Sequence, residues 1–223
     1  MNLDKIYKHR FSPQEVTAMA AVWRVLIDDF FSKWITKDDA VLDIGAGYCN
    51  FINHVTASRR VAIDANPSVV ENCADGVEFF EASQLTNIDL GGTFDVAFMS
   101  NFLEHLNSSN DVLTLLADTR KLLKPDGKVI ILQPNFALTG SRYFDFIDHK
   151  TILTDKSLVE ALELTGYTVT YLKKYFLPYT SKSALPKKPW MVRLYLKMPF
   201  VHYFMAGQSV VVAVPDHLNS PDM

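Results

Sequence analysis

Gly45 and Gly47 follow an apolar run, Val41-Leu42-Asp43-Ile44, and Asp64 stands 17 residues after Gly47 at the end of a second run, Val61-Ala62-Ile63. Glycines at a strand-to-turn junction let the backbone pass close to a ligand at the strand's carboxyl end. An acid at the tip of the next strand can accept hydrogen bonds from both hydroxyls of a ribose. The spacing therefore describes a nucleoside-binding half. The position of a third fingerprint glycine is occupied by Asn50, and Asp43 precedes the turn. A dinucleotide site needs that third glycine to seat a pyrophosphate on a helix N-terminus. An acid before the turn suits a ligand with a cationic ammonium or sulfonium instead. A hydride-transferring enzyme or epimerase with a degenerate turn is the alternative, disfavoured because no Tyr-x-x-x-Lys pair occurs in the chain.

A second set of residues has proton-handling chemistry. Glu104-His105 comes just after the apolar run Phe94 to Met99, and Asp145, Asp148 and His149 lie in Tyr143-Phe144-Asp145-Phe146-Ile147-Asp148-His149. A histidine near its ordinary pKa is the best general base at neutral pH, so His149 and His105 are the first candidates, with Asp148 and Asp145 behind them. Two acids and two histidines could also hold a divalent ion. No tight ligand spacing requires one, so no metal is assigned.

These residues need a scaffold, and the hydrophobic pattern supplies one. Short, almost wholly apolar runs at 40–44, 60–64, 77–80, 94–100 and 127–133 read as strands covered on both faces. Helical periods fall at about 49–57, 68–74, 109–123 and 155–165, with Lys124-Pro125-Asp126-Gly127 as a tight turn into the fifth strand. Ser12-Pro13-Gln14-Glu15 reads as the start of a helix reaching about Ile35, with Val16, Met19, Trp23, Leu26, Phe30 and Trp34 on one stripe. Tyr7 and Arg10 would lie at the pocket's rim. Two further strands are expected at 167–176 and 208–214, separated by about thirty residues that contain Pro178, Pro186, Pro189 and Pro199.

Taken together, Asp43-x-Gly45-x-Gly47 with Asp64, Glu81-Ala82-Ser83, Phe94 to Leu106 and Leu122 to Lys128 resemble motifs of the class I S-adenosylmethionine-dependent methyltransferases. The resemblance covers residues 40–135 motif by motif and 155–214 by strand order. It implies an α/β fold: a Rossmann-like, doubly wound seven-stranded sheet with an antiparallel last strand, an N-terminal helix and a C-terminal lid insertion. The boundaries it implies are a helical cover over 1–38, a cofactor-binding core over 39–176, a lid over 177–206 and a last strand over 207–215, all in a single domain. The cofactor would be S-adenosylmethionine. Asp43, Gly45, Ala46 and Gly47 would form its loop, Asp64, Ala65 and Asn66 would hold the ribose, and Glu81, Ala82 and Ser83 would contact the adenine. Glu81 would accept from the adenine amino group and the Ala82 N–H would donate to the ring. Ser100, Asn101 and Phe102 would flank the methionine moiety.

Methyl transfer from a sulfonium is an in-line displacement, so the protein aligns the acceptor, excludes water and removes a proton from a hydroxyl. Enzymes that methylate amines of DNA or protein glutamine carry a polar-Pro-Pro-aromatic tetrapeptide after the fourth strand. Here that place holds Ser100-Asn101-Phe102-Leu103, and Gln133-Pro134-Asn135-Phe136 follows the fifth strand with a single proline. Hydroxyl acceptors are favoured and nucleic acid is not an expected partner. The run from Tyr143 to Leu158 is similar to methyltransferases of bacterial surface-polysaccharide biosynthesis. That likeness implies a small-molecule, nucleotide-sugar or lipid-linked glycan acceptor. A quinone or phenol O-methyltransferase and a non-catalytic S-adenosylmethionine-binding protein are the alternatives.

Bulk properties agree with a globular protein: 223 residues, 48% hydrophobic, 21% charged, net charge −3. Cys49 and Cys73 make no metal spacing and fit a reducing compartment as packing residues. No secretory leader and no membrane-length apolar run is apparent, so a cytoplasmic protein is expected. The charge is uneven. Between Leu164 and Pro215 there is no Asp or Glu but there are Lys173, Lys174, Lys182, Lys187, Lys188, Arg193 and Lys197. In the segment 187–205, Trp190, Leu194 and Met198 share one helical face and Arg193 and Lys197 another, which points to an anionic acceptor or to peripheral contact with the inner face of a membrane.

Overall fold

A computed structural model describes residues 13–86, 88–179 and 188–216. Ser12, Tyr7, Arg10, Lys182 and Lys187 lie outside the described residues. Among the described residues seven strands, β1 (Ala40–Ile44), β2 (Arg59–Asp64), β3 (Val77–Glu81), β4 (Phe94–Ser100), β5 (Leu123–Pro134), β6 (Tyr167–Lys173) and β7 (Gln208–Pro215), make one sheet in the order β3-β2-β1-β4-β5-β7-β6, with β7 antiparallel to both its neighbours. This is the expected Rossmann-like α/β architecture. The described residues fall into two compact units, the first taking those up to Ser83 with those of the Ala184–Pro199 stretch, the second Gln84–Ser183 with those from Phe200 onward.

In the first unit, α1 (Pro13–Asp29) precedes β1 (Ala40–Ile44), β2 (Arg59–Asp64) and β3 (Val77–Glu81). The three strands pair in parallel. Every residue of β1 is buried, which is why it reads as an unbroken apolar run despite Asp43. Helix α1 stops short of Ile35 because Phe30, at φ −129° and ψ −57°, leaves the helical region. The break turns both Phe30 and Phe31 inward, edge to face at 5.2 Å between ring centres. Trp23 then reaches Phe51, in the loop after β1, at 6.0 Å. Helix α5 (Pro189–Leu196, numbered in chain order) packs on α1, with Arg193 Nε 3.2 Å from Asp29 Oδ2.

Two expected helices of this unit take other forms. The stretch expected as a helix at 49–57 is a run of turns. Cys49 has φ 53°, a left-handed conformation that cannot start a right-handed helix. The Asn53 side chain, at the heart of the stretch, donates to the Asn72 carbonyl at 2.7 Å and accepts from the Ala74 N–H at 2.8 Å. The helix expected at 68–74 is a 3-10 helix, Pro67–Asn72, capped by Asn66. The two thiols lie together: Cys49 is buried and its Sγ is 3.2 Å from that of Cys73, while burial pushes the pKa of both upward.

The second unit holds β4 (Phe94–Ser100), α2 (Ser109–Leu122), β5 (Leu123–Pro134), α3 (Phe136–Thr139), α4 (Asp155–Leu164), β6 (Tyr167–Lys173), α6 (Pro199–Met205) and β7 (Gln208–Pro215). Helix α4 starts with a reciprocal Thr154/Ser157 capping box. The expected turn at Lys124–Gly127 survives as a bulge inside β5. Phe94 pairs with Leu123 but Val96 with Lys128, so the intervening residues loop out. A side chain at Gly127 would meet the carbonyls of Lys124 and Phe94, both at 2.9 Å. The described residues of the stretch expected as a lid include two short helices, α5 and α6, with Pro199 opening α6.

Candidate active site

The first unit builds the nucleoside half. Gly45 and Gly47, at φ 73° and 53°, hold the turn after β1 in a conformation that side chains resist. Their amides are anchored on β2: the Gly45 N–H donates to the Ile63 carbonyl at 2.8 Å and the Gly47 N–H to Asp64 Oδ2 at 3.0 Å. The other Asp64 oxygen accepts from the Asn66 N–H at 2.9 Å. Each ionised carboxylate oxygen keeps a second lone pair, so both can still take a hydroxyl hydrogen. Asn66 is committed to structure, its Oδ1 accepting from the Ser68 N–H at 3.1 Å.

Asp43 is buried to 3% exposure at the end of β1. Desolvation, then the Asp64 charge, push its pKa up to about 8. Such a carboxyl gains from a cation placed beside it. Glu81 is exposed at the last position of β3 and Ser83 just after it, and Ala65 is exposed after β2. One expected role changes. The Ala82 N–H donates to the Asp64 carbonyl at 3.0 Å. An amide has a single hydrogen, so this one closes the loop instead of meeting a purine.

The second unit brings most of the candidate proton-handling residues together. The Asn101 N–H donates to the Leu132 carbonyl at 2.8 Å, carrying the β4–β5 ladder one residue past the strand, and Asn101 then turns the chain at φ 50°. Its amide side chain donates to Ser100 Oγ at 3.1 Å. Phe102 precedes the 3-10 turn Leu103–His105. Glu104 there is 1% exposed, and its carbonyl accepts from the N–H groups of Lys150 and Thr151 at 2.8 and 3.1 Å. Thr151 Oγ1 donates to the Leu106 carbonyl at 2.7 Å, and the buried Tyr143 hydroxyl donates to the Thr151 carbonyl at 2.6 Å. Three of these hydrogen bonds fasten residues 150–151 along 104–106, and the fourth holds Thr151 to Tyr143.

That fastening sets the histidines edge to face, 5.1 Å between ring centres. His105 Nδ1 lies 3.1 Å from the Asp148 carbonyl and 3.3 Å from its Oδ2. His149 stacks on Phe146 and stands edge-on to Tyr143, and its Nδ1 is 3.4 Å from the Tyr179 hydroxyl. So His105, Asp148 and His149 converge, while Asp145 is exposed at the end of the turn Gly140–Asp145. Sequence reading passed over Tyr179 and Thr151. Tyr179 sits in a Pro-bounded linker with no periodic pattern, and the strap's hydrogen bonds run through backbone groups, which leave no residue-type signature.

The sequence profile of the family described as "Methyltransferase domain" matches residues 17–172. No curated protein matches the chain in sequence. Solved structures of similar fold include an S-adenosylmethionine-dependent methyltransferase from Archaeoglobus fulgidus, at TM-score 0.60 and 16% identity over 85% of this chain and 92% of that one. The mitomycin 7-O-methyltransferase MmcR is similar at TM-score 0.60 and 15% identity, over 89% of this chain and 54% of that one. The N-methyltransferase NodS from Bradyrhizobium japonicum is similar at TM-score 0.56 and 13% identity, over 81% and 88%. At these identities the likeness speaks for the fold, and the fold alone serves both oxygen and nitrogen acceptors.

Proposed function

The chain belongs to the methyltransferase-domain family, and from that premise we propose that it moves a methyl group from S-adenosylmethionine to a hydroxyl of a small-molecule or glycan acceptor in surface-polysaccharide assembly. S-adenosylmethionine is the cofactor, and it supplies an electrophilic methyl on a sulfonium. The carrying observation is the shape of the loop and the acceptor beside it. Two glycines at positive φ leave the backbone open, and buried Asp64 keeps lone pairs for two ribose hydroxyls. Asp43 is a buried acid whose ionised form a cationic ligand would stabilise against the desolvation that raises its pKa.

On the acceptor side, the cluster of Glu104, His105, Asp148 and His149 deals with the hydroxyl's proton. It follows the carboxyl end of β4, where ligands of open α/β sheets bind. The Ser100-Asn101-Phe102-Leu103 sequence, without the proline pair of amine methylation, supports oxygen over nitrogen. Helices α5 and α6 each carry exposed apolar side chains, Trp190 and Leu194 on one, Phe200, Tyr203 and Phe204 on the other, beside exposed Lys188 and Lys197. This supports peripheral membrane contact, as a lipid-linked acceptor would require. Among the described residues no helix is long and apolar enough to cross a membrane.

The test is incubation with methyl-labelled S-adenosylmethionine and pools of nucleotide sugars and lipid-linked glycans, followed by mass analysis of the labelled product. A methyl ether on a sugar is expected. Label on an amine would remove the hydroxyl reading, and label on a quinone or phenol would remove the glycan. Binding of S-adenosylhomocysteine with no turnover on any pool would leave a cofactor-binding protein without activity.

A further inference from the structure

We propose that Glu104, His105 and His149 form a site for one divalent first-row metal ion, with two imidazoles and one carboxylate as ligands. One ligand atom from each residue lies within 4.8 Å of the others. Donors about 2.1 Å from a tetrahedral ion are ~3.4 Å apart, so the set closes on an ion when its widest separation shrinks by up to about 1.4 Å, within reach of side-chain rotation.

The surroundings are those of a metal site. Ligating histidines usually turn their second ring nitrogen to a carboxylate, carbonyl or other polar group that fixes the tautomer. His105 does so at 3.1 Å from the Asp148 carbonyl and 3.3 Å from Asp148 Oδ2, with Asp148 itself only 5% exposed. His149 does so with the Tyr179 hydroxyl at 3.4 Å. The ligands come from two segments, and the Lys150 and Thr151 amides tie the second directly to the Glu104 carbonyl. Glu104 is 1% exposed, and a cation offsets the cost of holding its charge away from water.

Ligand type selects the ion. Two imidazoles with one carboxylate suit zinc, manganese, iron, cobalt or nickel better than magnesium or calcium, which take oxygen sets. Three protein ligands leave positions for an outside oxygen. A hydroxyl bound there loses its proton more readily. That last role rests on the hydroxyl-transfer reading above, whereas the ion's binding does not.

The experiment uses the full chain, stripped with chelator and titrated calorimetrically with Zn²⁺ and with Mn²⁺. One ion per chain is expected. Glu104→Gln and His149→Ala should each weaken it by about 100-fold, and Asp148→Asn by about 10–100-fold. The exposed Glu163→Gln should bind as the parent does. S-adenosylhomocysteine titration of each variant reports whether it is folded, and a variant that fails this is replaced by Glu104→Asp or His149→Gln. Absence of saturable binding by the parent, or equal binding by folded Glu104 and His149 variants, overturns the site. Methyl transfer by chelator-stripped protein overturns the ion's part in the reaction and leaves the transfer standing. Metal binding without methyl transfer keeps the site and removes the hydroxyl reading.

Discussion

Asp64 accepts three hydrogen bonds from the loops around it: Gly47 and Asn66 on its side chain, Ala82 on its carbonyl. Its replacement by Ala leaves two loop amides without partners as well as removing the proposed ribose acceptor. Affinity for S-adenosylhomocysteine should fall about 10–100-fold, the loss of about 1.5–3 kcal/mol of charged hydrogen bonding, with a lowered melting temperature. Calorimetry showing unchanged affinity would remove Asp64 from the site. Asp43 makes a prediction of opposite sign for stability. Its pKa of about 8 in the fold lies above the unfolded value near 3.8, so between those values the native chain holds a proton that the unfolded chain has shed. Stability therefore falls as pH rises from 4 towards 8. Asp43→Asn has no such loss, so it should melt above the parent at pH 8, by on the order of a few kcal/mol, and lose that advantage towards pH 4, while binding the cofactor less well. A melting difference that does not change with pH would contradict the assignment.

Among the elements, the strap from Asp148 to Thr151 and the β7 entry at Gly207 carry the most consequence. The Gly207 N–H donates to the Leu177 carbonyl at 2.8 Å, and its carbonyl accepts from the Asn135 N–H at 2.9 Å. A Cβ there would stand 2.5 Å from Tyr179 Cβ and 3.2 Å from Thr139 Cγ2. Gly207→Ala should thus cost about 1–3 kcal/mol and displace Tyr179 from His149. Turnover should drop while S-adenosylhomocysteine affinity holds, because the cofactor loop belongs to the other unit. Equal loss of both would show that the substitution acts through general unfolding. Strand positions were legible in the sequence because burial on both faces leaves continuous apolar runs. The turns at 50–54 were not, since their form follows from the left-handed Cys49 and from Asn53 bonding to a segment about twenty residues away.

At the scale of the whole molecule, charge and exposed apolar surface go together in the C-terminal third. No acid occurs between Leu164 and Pro215, and Trp190 and Phe204 are 59% and 78% exposed. If α5 and α6 meet anionic lipid, reversing Lys188 and Lys197 to Glu should reduce sedimentation with anionic vesicles by about tenfold or more, at about 1 kcal/mol per charge. Raised salt should do the same as the Debye length falls below ~10 Å. Sedimentation indifferent to both would reduce the stretch to a solvated surface. The sequence by itself determined the strand order of chemistry: glycine turn, acid at the second strand tip, and two candidate proton-handling groups after the fourth and fifth strands. Those are local facts, set by residue type and short spacing. Only the tertiary structure decided which candidates meet. His105 and His149 are far apart in the chain and become neighbours because backbone amides at 150 and 151 bond to the Glu104 carbonyl. Asp145, four residues before His149, is exposed outside the cluster, and the Ala82 amide is spent on Asp64. Backbone hydrogen bonds between distant segments are the same for every residue type, so no sequence pattern announces them.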